Sequence, residues 1–259
     1  MICITETEVF GFRAALRGMR NPMESWSRSD TKFNPHDHDR EILHGLAKGP
    51  WADFWANRQE EHPVHVRNWL VLGISVAERP TIGPNDLRLM QKLVAGGSEH
   101  RKFLRQITVN CVIEAPRYLW QEIDTYKVAT VRDSCSTMHK LGSRDLVPGD
   151  FFEQDVMTEV LLKLNGLGHL YRTGGMKDYN LVRKMKHYLP EGYIQRADYH
   201  MSYETALSMF HQRKGHRLPE WHWTGGTKIV NGKQSICDWI YSLPYMSSLL
   251  EPVTDSGVF

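Results

Sequence analysis

Residues 107–126, ITVNCVIEAPRYLWQEIDTY, contain the strand-to-helix pattern on which the predicted fold depends. The first part, residues 107–114, is rich in β-branched side chains and predicts a buried strand, with Cys111 as a small core residue. Pro116 lacks the backbone N–H that a sheet needs, so we expect the strand to end there and a helix to follow. Open α/β sheets bind ligands at such junctions, and this one carries an arginine, a tryptophan and Gln121. A solvent-exposed helix start is the alternative interpretation.

Similar local patterns recur along the chain. The N-terminus predicts a strand followed by an amphipathic helix, and residues 68–77 suit another buried strand. Helical spacing recurs over residues 84–94, 151–187 and 202–212. Asn85 and Ser202 are candidate N-caps, Gly96 is a stop signal, and Thr173 begins a break. Because helices outnumber strands and alternate with them, we predict an α/β (α+β) fold in which a mixed sheet packs against helices.

Composition bounds the class of protein. The 259 residues are 41% hydrophobic and 24% charged, as in globular domains, and the 32 Lys and Arg nearly balance the 30 Asp and Glu. That balance does not favour a nucleic acid polymer or a membrane surface as partner, and no apolar run approaches the roughly 18 residues of a membrane helix. The four cysteines form no CxxC pair, and the N-terminus lacks a signal-peptide pattern. We expect a cytoplasmic protein with one domain over residues 1–259 and a helical insertion around 150–187.

Common catalytic signatures are missing. The sequence contains no GxGxxG, GxxxxGK[ST], GxSxG or HExxH motif. The densest histidine group is His36-Asp37-His38-Asp39 with His44, in a long polar stretch. Alternating His and Asp could bind a metal ion, which makes a metal-dependent hydrolase one alternative, although such side chains are more often solvated. We expect no metal site.

Two polar clusters suit a small anionic ligand. Residues 133–140, DSCSTMHK, offer hydroxyl and backbone donors to phosphate oxygens, although Ser/Thr runs more often form loops or helix caps. Residues 212–217, QRKGHR, follow a predicted helix and place four potential cations in six positions. An arginine fork there could hold a carboxylate or phosphate, with solvated charge as the alternative.

Taken together, these segments resemble the flavin-dependent thymidylate synthase family, also called the thymidylate synthase complementing proteins. The family carries a strand ending in Ala-Pro, a helix with a Gln, then R-H-R, seven residues and S-x-R-Y. Here IEAPRYLWQ matches the strand and helix, and residues 133–139 resemble the family's N-E-x-S-x-R-Y. Lys186, Leu189-Pro190 and Arg213 reproduce the spacing of a later Arg, Leu-Pro and Arg. The resemblance covers about residues 100–222.

The chain departs from this family in three places. The R-H-R positions hold Tyr126-Lys127-Val128, and the family's Glu-His pair falls on Arg105-Gln106. Met138 stands where the family has an arginine on the nucleotide. Nucleotide-phosphate recognition is therefore better supported by the motifs than flavin binding, although the charge of Lys127 and the ring of Tyr126 could partly substitute.

The resemblance implies C5 methylation of a pyrimidine nucleotide, a conversion like that of dUMP to dTMP. FAD would be the cofactor, with methylenetetrahydrofolate and NADPH as co-substrates. Arg213 would polarise the pyrimidine, because the charge that develops on an oxygen of the ring needs a cation. Ser136 and Lys186 would bind the phosphate, Gln121 would orient the base or ribose, and Ser134 would also contact the substrate.

The family resemblance also implies cofactor contacts and an assembly. The candidate cofactor-binding residues are Gln106, Arg117, Tyr126, Lys127, His139 and His216. Family members form homotetramers whose active sites are shared between subunits, so one chain need not show a complete site. A catalytically silent nucleotide-binding homologue is the main alternative.

Overall fold

A mixed β-sheet forms the centre of the fold. The computed structural model describes residues 1–33, 74–76, 80–174, 178–226, 229 and 232–251. The strands are β1 (Ile2–Phe10), β2 (Lys32–Phe33), β3 (Ile74–Val76), β4 (Pro80–Thr81), β5 (Thr108–Pro116), β6 (Val131–Ser134), β7 (Ile194–Ser202) and β8 (Lys233–Gln234). Within this part of the chain the main sheet has six strands in the order β3-β1-β5-β7-β6, with β8 also paired to β1. The β1–β3 pair is parallel and the other pairs in the sheet are antiparallel.

Six of the described helices share the hydrophobic core of this sheet: α1 (Phe12–Arg20), α2 (Pro84–Ala95), α3 (Arg117–Ile123), α7 (Tyr203–Arg213), α8 (Ile236–Ser242) and α9 (Met246–Leu250). The other described helices are α4 (Thr137–Lys140), α5 (Thr158–Thr173) and α6 (Tyr179–Tyr188). Short 3-10 helices occur at Asn21–Met23, Trp26–Arg28, Arg101–Gln106, Pro148–Asp150 and Phe152–Gln154. The predicted fold class, a mixed sheet packed with helices, is confirmed. None of the described helices is long and apolar enough to cross a membrane.

The central pair of strands joins one predicted strand to one that the sequence did not predict. Strand β5 overlaps the strand predicted at residues 107–114, runs on to Pro116, and pairs with β7 over its whole length, from Thr108 opposite Ser202 to Pro116 opposite Ile194. Strand β7 was not predicted because charged residues such as Arg196 alternate with its buried side chains. An exposed sheet face tolerates such charges. Through this pairing, β7 brings residues far apart in sequence to the end of β5.

Gly11 makes the tight turn between β1 and α1. Its φ is +95°, in the left-handed region that favours glycine. A Cβ added there would lie 1.9 Å from the backbone oxygen of Gln106. The turn therefore needs glycine both for its conformation and for the close approach of the backbone at Gln106.

A buried ion pair ties α1 to α2. Arg20 Nε donates to Asp86 Oδ1 at 2.7 Å, and the hydroxyls of Ser29 and Thr31 each donate to Asp86 Oδ2 at 2.6 Å. Asp30 accepts from the backbone N–H groups at the start of α2, at 2.9 and 3.1 Å. Asn85 was expected to cap this helix, and that expectation is wrong. The cap comes from a side chain 55 positions away, which no local pattern reveals.

Two hydrophobic clusters stabilise the described residues. The larger one joins the sheet to α1, α2, α3, α7, α8 and α9, and it includes the fully buried Trp120, Trp221 and Trp239. Burial of rings this large contributes strongly to stability. The smaller cluster holds α5 and α6 together around Leu164, Leu167 and Met185. The segment predicted as a helical insertion thus has its own apolar core, while the division of the chain into domains stays a prediction.

Other sequence predictions have mixed outcomes. Ser202 caps α7 through a hydrogen bond from the Thr205 backbone N–H, as expected, and Cys111 is buried. Of the strand predicted at residues 68–77, the structure describes residues 74–76, which form β3. The histidine group at 36–44 lies outside the described residues.

Candidate functional site

The short helix α3 organises the site. Pro116 precedes it and offers no side-chain cap. The backbone N–H groups of Arg117 and Tyr118 instead donate to the carbonyl oxygens of Tyr193 and Glu191, at 3.1 and 3.2 Å. Because the first N–H groups of a helix lack partners within it, these bonds fix the start of α3 against the segment that leads into β7.

One face of α3 borders a cleft of about 270 Å³. Arg117, Trp120, Gln121 and Asp124 lie on that face because they follow one another at positions i, i+3, i+4 and i+7. The other lining residues are Arg132 of β6, Thr137 of α4, Lys186 of α6, Leu189 directly after α6, and Gln195 of β7. The cleft therefore brings together Arg117, Gln121 and Lys186, which the sequence analysis selected from separate segments.

The three cations of the cleft differ in their partners. Arg117 Nη2 lies 3.5 Å from Glu191 Oε1, and the other oxygen of this carboxylate accepts from Gln121 Nε2 at 3.0 Å. Arg132 Nη1 lies 2.6 Å from Asp124 Oδ2. Lys186 has no ion-pair partner among the residues that the structure describes. Its charge is therefore the one most available to an anionic ligand.

Arg132 was not among the candidate residues predicted from the sequence. Its guanidinium lies over the ring of Trp120, 4.2 Å from the centroid, and its Nη2 donates to Gln195 Oε1 at 2.8 Å. Gln195 in turn donates to the Cys135 carbonyl at 2.8 Å. The available signal was a charged residue just before the Asp133–Lys140 segment, but only the pairing of β6 with β7 shows that it turns toward the cleft.

The hydroxyl-rich segment, residues 133–140, borders the cleft through helix α4. Asp133 and Ser134 end strand β6, and Ser136 precedes α4 without making a side-chain capping bond. Ser134, Ser136 and His139 are exposed, and Thr137, the first residue of α4, lines the cleft. The predicted substrate residues Ser134 and Ser136 therefore flank the cleft without being among its lining residues.

Arg213 lies in a separate cluster, which we call the arginine cluster: Glu122, Tyr126, Arg213, His216 and Trp221. Arg213 Nη1 is 3.0 Å from Glu122 Oε2 and 3.0 Å from His216 Nε2, and Arg213 Nε donates to the Tyr126 hydroxyl at 3.1 Å. Trp221 Nε1 donates to the same Glu122 oxygen at 2.9 Å. Among the described residues, Arg213 Nη2 has no hydrogen-bond partner.

The cleft and the arginine cluster meet α3 at different places around its axis, and no residue of the arginine cluster lines the cleft. Glu122 follows Gln121 by one residue, so its side chain leaves the helix about 100° further round, toward Arg213. The structure therefore unites Gln121 with Lys186 but does not bring Arg213 to them.

A buried carboxylate lies beside the arginine cluster. Glu220 is 4% exposed, and its Oε1 accepts from the Tyr118 hydroxyl at 3.1 Å. Burial raises the pKa of the Tyr118 hydroxyl, and the charge of Glu220 raises this pKa further. Tyr118 thus stays protonated and keeps donating to Glu220, which holds residues 216–221 against α3.

The candidate cofactor residues occupy several places. Arg117 lines the cleft, whereas Tyr126 and His216 contact Arg213. Gln106 precedes the start of β5, and Arg117 follows its end, roughly 30 Å away at about 3.3 Å per strand residue. Lys127, like His139, is exposed. The described residues contain no cluster of His, Cys, Asp and Glu suited to a metal ion.

Two solved structures share this architecture. Flavin-dependent thymidylate synthase ThyX from Helicobacter pylori, complexed with FAD and dUMP, is 14% identical and gives a TM-score of 0.51 over 83% of this chain and 85% of that chain. A further structure of Thymidylate Synthase X from the same organism, also with FAD and dUMP, is 13% identical. Its TM-score is 0.55 over 96% of this chain and 97% of that chain. This chain has the flavin-dependent thymidylate synthase fold.

The fold that the sequence motifs implied is thus confirmed. The similarity to the ThyX structures extends beyond residues 100–222, because the second structure covers 96% of the chain. No protein-family model and no curated protein matches the sequence. At 13–14% identity the similarity establishes the flavin-dependent thymidylate synthase fold, and the activity has to be argued from the site.

Proposed function

We propose that the cleft binds a pyrimidine nucleotide, such as dUMP, as the substrate of a flavin-dependent one-carbon transfer to C5 of the base. The observation that carries this proposal is the convergence of Lys186, Thr137 and Gln121 on one cleft. Lys186 supplies a cation without a carboxylate partner, Thr137 a hydroxyl, and Gln121 an amide that can both donate and accept. The fold supports the proposal, because two solved structures with this fold are complexes with FAD and dUMP.

Each polar group has a part in the proposed reaction. Lys186 and the hydroxyls of Ser136 and Thr137 bind the phosphate, and Ser134 extends this end of the site. Gln121 orients the base or ribose. C5 of a pyrimidine becomes nucleophilic when negative charge develops on the ring oxygens, which a fixed cation stabilises. Arg213, held by Glu122 and Tyr126 with Nη2 unoccupied, is suited to that task.

Arg213 is not among the residues that line the cleft of its own chain. We therefore propose a homotetramer in which the cleft of one subunit faces Arg213 of another. In such an assembly the cleft and the Arg213 of one site come from different subunits. Closed symmetry still allows every subunit to contribute both. It also explains why residues predicted to share one site lie on two sides of a helix.

The cleft by itself does not enclose the flavin. A volume of about 270 Å³ is below the usual 300–1,000 Å³ of drug-sized ligand sites and cannot enclose a dinucleotide such as FAD. The candidate cofactor residues are also spread over both ends of β5. We propose that FAD lies between subunits, where Gln106, Arg117, Tyr126, Lys127, His139 and His216 come from different copies. Bound FAD would supply the redox chemistry, with methylenetetrahydrofolate as carbon donor and NADPH as reductant, in the cytoplasm.

One observation favours the alternative of a catalytically silent nucleotide-binding protein. Tyr126 occupies the first R-H-R position, and its hydroxyl is used to hold Arg213. Glu122 balances the charge of Arg213 within the same chain. A cluster of this kind suits a structural role, while the cleft retains Lys186, which has no ion-pair partner among the described residues.

Three measurements on the purified protein test these proposals. Calorimetric titration with dUMP and UMP should show binding. If neither nucleotide binds, the nucleotide assignment is contradicted. Absorbance of a bound flavin, or a rise in melting temperature on adding FAD, supports the enzyme. Nucleotide binding without either flavin signal supports the silent homologue. Light scattering should give a tetramer, and a 30.0 kDa monomer at micromolar concentration contradicts the shared site.

A further inference from the structure

The guanidinium of Arg132 has one open surface. Its Nη1 and Nη2 donate to Asp124 and Gln195, and its Nε is buried without a partner among the described residues. One planar face lies on Trp120, 4.2 Å from the ring centroid. Each nitrogen is therefore bonded or buried and one face is covered. Arg132 nevertheless lines the cleft, so what it offers a ligand is its opposite face.

Two aromatic rings pack behind the guanidinium plane of Arg132, on the side of Trp120. Trp120 is 1% exposed, and its Nε1 donates to the Gln195 carbonyl at 2.9 Å. The ring of Tyr199 lies beneath it, with centroids 6.1 Å apart. The plane of Arg132 is thus fixed by Trp120, Asp124 and Gln195, and a ligand need not order it. A planar cation held in this way is prepared for stacking.

We propose that Arg132 is the platform on which the heteroaromatic base of the ligand stacks. The proposal rests on the proposed function, in that the cleft binds a nucleotide. A phosphate is the less suitable occupant of this position, because Asp124 balances the charge of Arg132 and the guanidinium edge is occupied. Lys186, which has no such partner in the described part of the chain, also lines the cleft and takes the phosphate. The base lies on Arg132, with Gln121 beside it in the same lining.

Stacking predicts a specific pattern of ligand preference. Guanidinium planes and aromatic rings stack on flat bases, and such a contact contributes about 1–3 kcal/mol per base, or roughly 5- to 150-fold in affinity. 5,6-Dihydro-dUMP keeps the carbonyl and N–H groups of uracil but has lost the planar conjugated ring. 2-Deoxyribose 5-phosphate lacks the base altogether. Wild-type protein should therefore bind dUMP at least 5-fold more tightly than either compound.

The test combines these ligands with matched variants. Calorimetric titrations use the full chain as wild type, Arg132→Lys and the control Arg196→Lys, a substitution of an exposed arginine of β7 that does not line the cleft. Arg132→Lys keeps the positive charge and removes the plane, so it should bind dUMP and 5,6-dihydro-dUMP equally. Its affinity for 2-deoxyribose 5-phosphate should stay within about 2-fold of wild type, which also shows that the cleft is intact. Arg196→Lys should keep the wild-type preference.

Several results would overturn the stacking role. Equal affinity of wild type for dUMP and 5,6-dihydro-dUMP excludes it without the use of any variant, even if Arg132→Lys fails to fold. An undiminished preference in folded Arg132→Lys excludes it as well. Both results leave nucleotide binding in place. If wild type binds none of the three ligands, the nucleotide assignment itself fails, and the platform fails with it.

Discussion

Two cations lie beside helix α3 in different environments, Lys186 in the cleft and Arg213 in the arginine cluster. On the cleft side, Lys186 has no carboxylate partner among the described residues, and Gln121 is exposed. On the other side, Arg213 is bonded to Glu122, Tyr126 and His216. Both cations came from the same family spacing, yet one is open to a ligand and the other is largely enclosed by its own chain.

This difference shows that residue type does not decide whether a cation binds ligands. Hydrogen bonds within the protein use up donors, and a nearby carboxylate balances the charge, so what remains for a ligand depends on packing. The buried ion pair of Arg20 and Asp86 is one extreme, with its charges used within the protein. Lys186, which has no carboxylate partner among the described residues, is the other. Arg213 lies between them, with one nitrogen unoccupied. Substitutions at each point should therefore move stability and ligand affinity in different proportions.

The largest effect is expected at the fully enclosed pair of Arg20 and Asp86. Asp86→Ala leaves a buried arginine uncompensated and should lower the free energy of unfolding by about 3–5 kcal/mol. Urea unfolding, followed by fluorescence, measures this change. An unfolding free energy within about 1 kcal/mol of wild type would contradict the prediction, because it would place the pair among exposed salt bridges.

The same pair predicts the sign of a pH effect. Burial alone would raise the pKa of Asp86, but hydrogen bonds from Ser29, Thr31 and Arg20 outweigh it, and the pKa is lowered from its ordinary value of 3.8. The stabilisation is therefore complete above pH 3.8 and disappears as the pH falls through the lower folded pKa. The stability difference between wild type and Asp86→Ala should shrink on acidification below that pH.

At the open end of the range, Lys186→Ala should act on ligand affinity. Loss of a charge-assisted contact costs about 1.5–3 kcal/mol, so dUMP should bind roughly 10- to 150-fold more weakly in calorimetric titration. The free energy of unfolding should stay within about 0.5 kcal/mol of wild type. Lys184→Ala, an exposed lysine of the same helix, is the matched control. Equal affinities for the two variants would remove Lys186 from the site.

Arg213→Lys should change both quantities. Lysine keeps the charge but not the planar fork, so dUMP affinity in the assembled protein should fall about 10-fold, equivalent to one charge-assisted hydrogen bond. Loss of the contacts with Glu122 and Tyr126 should also lower stability by about 1 kcal/mol. A stability loss with unchanged dUMP affinity would show that the arginine cluster is structural and would favour the silent homologue.

The smallest expected effect compares neighbouring residues on the two sides of α3. Glu122→Gln weakens the bonds that hold Arg213 and Trp221, so the free energy of unfolding should fall by about 1 kcal/mol at an unchanged denaturant slope. Gln121→Ala should lower dUMP affinity several-fold and leave unfolding unchanged. If both substitutions affected the same property, the separation of the two sides would be wrong.

Much of the fold was predictable because its signals are local. The β-branched run before Pro116, the cap at Ser202 and the break after Thr173 all act within a few residues. Strand β7 was missed because its exposed face carries charges, and the cap from Asp30 was missed because it lies 55 positions from Asn85. Motif spacing selected Gln121, Lys186 and Arg213, but spacing along a chain contains no information about the side of a helix on which a residue lies.

The sequence by itself determined the elements, the family-like spacing and a set of polar candidates, since these follow from local periodicity and residue chemistry. Only the tertiary structure decided which candidates meet. Antiparallel pairing of β6 and β7 turned Arg132 toward the cleft, and the 3.6-residue repeat of α3 directs Gln121 into the cleft and Glu122, about 100° further round the helix, toward Arg213. The pairing of distant strands and the direction in which each side chain leaves its helix determine which charged groups bond to each other. Those bonds determine which charges remain for a ligand.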